Sequence, residues 1–158
     1  MLKTILKVMG ILVLVIFQLA IMSKLFFWGA IADLILILAI ILTIKNHFQD
    51  AILVAIVGGF FLDLTSSLRF GFFMIMFLAI LLIINFLVLK NLPSTGNLTT
   101  FLIFLGSFLF LDLTSFLLIR VWPTWQVFLT SFVNSGWAIL IYSLIGHKIT
   151  AEEKIKII

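Results

Sequence analysis

The chain has 158 residues, 65% of them hydrophobic and 10% charged, with a mean hydropathy of +1.41. Soluble domains are about 45–50% apolar and about 25% charged, so this composition excludes an ordinary water-soluble domain and places the chain in lipid. A net charge of +4 with no basic run interleaved with aromatics argues against nucleic-acid binding, and the lack of cysteine excludes disulfides, thiol catalysis and thiolate metal sites.

Length and breakers predict one all-α domain over 1–158, a polytopic bundle of six transmembrane helices at 4–22, 25–44, 51–68, 72–89, 100–119 and 126–146. Spans of roughly 20 residues nearly exhaust the chain and leave no soluble lobe for a nucleotide or ligand fold. The connectors are short and polar. The apolar runs are too continuous for a β-barrel, whose strands alternate in polarity.

The first span opens on Met-Leu-Lys-Thr-Ile-Leu-Lys, like the charged end of a signal peptide. Ala20-Ile21-Met22-Ser23 is a poor cleavage site, so an uncleaved helix is expected. This span carries Gln18, and the second carries Asp33. In the third, Ala51, Ala55, Gly59, Asp63 and Ser66 follow at intervals of four, four, four and three and share one face. Small residues so spaced let helix backbones approach closely in lipid. The fourth span is apolar all round except for Asn85 and is expected to face lipid. The fifth repeats at 110–115 the hexapeptide Phe-Leu-Asp-Leu-Thr-Ser already present at 61–66, which places Asp112 at membrane depth beside Asp63. The sixth has a looser inward stripe of Val127, Ser131, Asn134, Ser135, Ala138 and Tyr142.

Orientation follows from the basic residues. With the N-terminus cytoplasmic, the inner side holds Lys3, Lys7, Lys45, Lys90, Lys148, Lys154 and Lys156, and the outer side only Lys24, Arg69 and Arg120. The positive-inside rule then puts both termini in the cytoplasm, with Trp28, Trp122 and Trp125 at the outer boundary. Gln18, Asp33, Asp63, Asp112 and Asn134 fall at similar depths and form a polar layer in the outer half.

A carboxylate at that depth costs about 2.5–3.5 kcal/mol unless it faces protein or water, so the three acids mark the inside of the bundle. They suit internal ties between helices, paired with Arg69 or Arg120; a partner or ligand surface; or a proton or ion path. Nothing points to catalysis or to a metal. His47 and His147 lie apart at the cytoplasmic boundary, no serine sits in a Gly-x-Ser-x-Gly turn, and Gly58-Gly59 lacks the lysine of a phosphate loop. The acids lack the flanking motifs of a membrane-protease carboxylate pair. No cofactor is expected.

The segment Gly59-Phe-Phe-Leu-Asp63-Leu-Thr-Ser66-Ser-Leu-Arg69-Phe-Gly71 resembles the signature of MreD, the rod-shape-determining protein family of the bacterial inner membrane. That signature has a glycine four residues before an aspartate and another eight residues after it, and Gly59, Asp63 and Gly71 keep both intervals, with Ser66 also fitting. Ala55 stands where a further glycine is common. Ala32-Asp33-Leu-Ile-Leu-Ile-Leu38 resembles the family's Pro-Asp-Leu-Leu start of span two, with alanine in place of proline. The resemblance implies a non-enzymatic scaffold of the elongation machinery, with Asp63 and Gly71 shaping the turn between spans three and four and Arg69 as counter-charge. The partners it implies are membrane lipids, MreC-like and MreB-like proteins, a RodA-type glycosyltransferase and its transpeptidase. The family is similar in fold to the substrate-binding S components of energy-coupling-factor vitamin transporters, and that supplies the alternative. Trp28, Trp122, Trp125 and Asn134 would then close over a solute.

Overall fold

Without water, a continuous apolar run satisfies its backbone polar groups only as a helix or in a closed barrel, and this chain takes the first solution. The computed structural model describes residues 2–22, 33–66, 68–91, 97–119 and 125–155. Helix α1 (Leu2–Phe17) passes into a π-helical turn over Gln18–Met22. It is followed by α2 (Leu34–Ile44), α3 (Phe48–Thr65), α4 (Phe72–Asn91), α5 (Asn97–Ile119) and α6 (Trp125–Ile155), with no strand among the described residues. Three apolar stretches, within α3, α5 and α6, are long enough to cross a membrane. Those of α1, α2 and α4 are shorter, at Ile5–Ala20, Leu34–Ile44 and Phe72–Leu87.

Four helices form one group: α3 packs most extensively on α4, and also against α2 and α1, while α2 reaches α4. Helices α5 and α6 form a second group, which meets the first less extensively, with α4 against α5 among the contacts. Helix α2 lies at the centre. Its Ile35, Leu36, Ile37, Ile40 and Ile41 are almost fully buried, as expected of a helix apolar on every face.

Small residues on α3 set the spacing. Ala51 and Ala55 are fully buried. A Cβ on Gly58 would collide with the Ile35 side chain of α2, and one on Gly59 would lie 2.7 Å from Met74 Cα on α4. Each glycine therefore admits a different neighbour to contact distance.

Two expectations change. The helix of span two begins at Leu34 among the described residues, because Asp33 accepts the Leu36 amide proton and caps it. Residues 25–32 lie outside the described residues, as do Lys24, Trp28, Arg120 and Trp122. Helix α4 is not a peripheral lipid-facing helix. It buries Phe72, Met76, Phe77, Ile80, Leu81 and Ile84, and exposes Ile75, Leu82, Ile83 and Phe86 on the other side. A lack of polar residues does not mark a lipid face where inward packing is itself apolar.

The end of the bundle opposite Asp33 is held by charge. Lys7 Nζ lies 2.6 Å from an Asp50 carboxylate oxygen, and Lys45 sits 5.6 Å from the centre of the Tyr142 ring. Both contacts tie helices distant in sequence.

Candidate functional site

The first hexapeptide ends a helix. Thr65 closes α3, Ser66 turns to extended backbone, and the chain reverses through Gly71, whose φ of +89° lies in the region that favours glycine. The reversal brings the start of α4 back over Asp63. The Phe73 amide donates to Asp63 Oδ1 at 2.8 Å and the Met74 amide to Oδ2 at 3.2 Å. These are first-turn amides with no partner inside their own helix, and the carboxylate also meets the positive end of the helix dipole. Ser66 accepts the Leu68 amide proton at 3.0 Å and steadies the turn. Asp63, 5% exposed, is thus satisfied by backbone rather than by a counter-charge. Arg69 is exposed, and among the described residues it pairs with neither Asp63 nor Asp112.

Gln18 and Asp33 form a second junction. The Gln18 Nε2 donates to Asp33 Oδ1 at 3.2 Å, and Gln18 Oε1 accepts the Ile35 amide proton at 3.1 Å. The Leu36 amide donates to the same Asp33 oxygen at 3.2 Å. Two orphan amides of α2 are therefore capped from two elements at once, and the π-helical turn sets where Gln18 reaches.

The second hexapeptide lies in mid-helix and is held differently. Asp112 Oδ2 accepts a hydrogen bond from Ser131 Oγ on α6 at 2.7 Å, with the Thr130 hydroxyl beside it. Ser115, the counterpart of Ser66, donates to Leu111 O within its own helix at 2.8 Å. Asn134, three residues after Ser131, is 7% exposed, and among the described residues its Oδ1 has no hydrogen-bond partner.

These groups meet at a cavity of about 360 Å³ where the two helix groups come together. Asp33, Asp112, Asn134 and Ser66 line it, as do Gln18, Thr65 and Ser115, with Leu62, Leu111, Phe73 and Phe108 among its apolar walls. Asp63, Gly59, Arg69 and Gly71 are not part of the lining. The residues singled out in the sequence therefore separate into a corner (Gly59, Asp63, Gly71) and a cavity wall (Asp33, Ser66, Asp112, Asn134), with Arg69 on the surface near the corner. Thr65, Ser115, Phe73 and Phe108 also contribute to the wall, which sequence reasoning misses; membership of the repeated hexapeptide is the only signal that Thr65 and Ser115 carry. Among the described residues no three metal-ligating side chains cluster. The wall thus combines carboxyl, carboxamide and hydroxyl groups with an apolar part.

In comparisons with known proteins, no family model, no curated protein and no solved structure matches this chain.

Proposed function

We propose that this chain is a non-enzymatic scaffold of the bacterial inner membrane, similar in role to MreD, which docks partner membrane proteins of the cell-elongation machinery. In this reading six helices cross the bilayer, both termini are cytoplasmic, and the Asp33 end of the bundle faces outward. One observation carries it. Gly59, Asp63 and Gly71, the residues on which the resemblance to MreD rests, act together at the α3–α4 corner: Gly59 admits α4, Gly71 turns the chain, and Asp63 caps the helix that results. A motif whose members depend on one another in this way supports a shaped docking face. Exposed apolar side chains along α1, such as Leu6, Val13 and Ile16, supply surface for partner helices or lipid.

The test is complementation. Expressed in a rod-shaped bacterium depleted of its own MreD, the tagged chain is expected to restore rods and to bring an MreC-like protein through purification. Round cells and no such recovery, with full-length monodisperse protein in the membrane fraction, would overturn the reading. A second reading, an S component of an energy-coupling-factor transporter, is favoured by the cavity alone.

A further inference from the structure

The cavity wall is rich in hydrogen-bond acceptors. Two of its hydroxyls have their protons committed elsewhere: Thr65 Oγ1 donates to Leu62 O at 3.1 Å and Ser115 Oγ to Leu111 O at 2.8 Å. One Gln18 N–H and its Oε1 are engaged with Asp33 and the Ile35 amide. The Gln18 and Leu36 donors share Asp33 Oδ1, Ser131 donates to Asp112 Oδ2, and Asn134 Oδ1 has no partner among the described residues. Asp33 and Asp112 both line the cavity, and no lysine or arginine among the described residues lies in the wall.

A buried acceptor without a donor is costly, and a carboxylate in a partly apolar wall is favoured in its charged form when a cation joins it. A metal ion would fit poorly, since only two carboxylates are present and much of the lining is Leu and Phe. An ammonium group brings three donors and a positive charge. Phe73 and Phe108, with Leu62 and Leu111, supply apolar wall for the body that carries it.

We propose that this cavity binds a small organic cation, a primary ammonium carrying an apolar body, with Asp33 and Asp112 holding the head and Asn134 Oδ1 accepting one of its protons. The inference rests on the cavity and on neither reading of cellular role: a scaffold or a transporter subunit can carry such a site. The ammonium has two sources, a free amine or the headgroup of an aminolipid.

The purified full chain in phosphatidylcholine nanodiscs, whose lipid has no primary ammonium, is titrated calorimetrically with phenethylamine and with its uncharged counterpart 2-phenylethanol. The amine is expected to bind at least about tenfold more tightly, the scale of a charge-assisted hydrogen bond. Asp112→Asn keeps an acceptor for Ser131 and should remove that preference without moving the melting temperature. Asn134→Leu, which deletes the orphaned oxygen, should weaken amine binding severalfold while the protein melts no lower than wild type. Repeating the titration in phosphatidylethanolamine nanodiscs assigns the source: competition there supports the lipid headgroup, and unchanged binding supports a free amine. Equal binding of amine and alcohol would overturn the proposal, as would amine binding that both variants leave intact. Complementation of cell shape is read separately, so failure of either idea leaves the other standing.

Discussion

The two copies of Phe-Leu-Asp-Leu-Thr-Ser have the same residues and opposite fates. In the first copy the helix stops at Thr65, the chain turns, and Asp63 is consumed by the Phe73 and Met74 amides. In the second the helix runs on to Ile119, and Asp112 is half-buried, held by Ser131 and open to the cavity. The residues downstream of each copy decide the outcome. Leu68-Arg69-Phe70-Gly71 supplies a polar break and a residue free to take positive φ, whereas Phe116-Leu117-Leu118-Ile119 continues an apolar helix. A carboxylate in lipid therefore has no fixed role. It becomes a structural cap where a helix start is folded back over it, and a wall of a polar cavity where it is not.

The sharpest way to break this contrast is Asp63→Leu. It strands two first-turn amides at about 1–3 kcal/mol each, so unfolding in mixed micelles should show a loss of about 2–6 kcal/mol. A change under about 0.5 kcal/mol would show that the cap does not hold the corner. Gly59→Ala should rank second. Its Cβ would lie 2.7 Å from Met74 Cα, backbone that cannot swing aside, so α3 and α4 must separate at a cost of about 1–3 kcal/mol in the same assay. Gly71→Ala is the mildest. Space is open around it, with the nearest side-chain atom, from Ile75, 4.0 Å away, and only the positive φ is penalised, by about 1–2 kcal/mol. Identical losses for the two glycines would mean that the corner yields as a whole rather than through separate contacts.

Much of the fold is legible in the chain because lipid narrows the choices. Continuous apolar runs have to be helices, and the stripe from Ala51 to Asp63 buries as its spacing requires. The polar depth of Gln18, Asp33, Asp112 and Asn134 is legible for the same reason, and all four line the cavity. Their hydrogen-bond partners are not. Composition offers Arg69 as the cation for Asp63, but the donors are backbone amides, which leave no mark in composition. The apolar neighbours of Asp33 give no sign of a helix break, yet a carboxylate can cap as readily as it can tie. The same blindness to backbone applies to Gly58, whose closeness to Ile35 is a relation between helices far apart in the chain.

The difference between the two aspartates is tested most directly by making the same isosteric change at each and comparing unfolding free energies under one set of conditions. Asp63→Asn replaces one accepting oxygen with an amide that faces another N–H, and should cost about 1–3 kcal/mol. Asp112→Asn keeps an acceptor for Ser131 and should stay within about 0.5 kcal/mol of wild type. Equal losses at the two positions, or a larger loss at Asp112, would contradict the division of the repeated motif into a corner and a cavity wall.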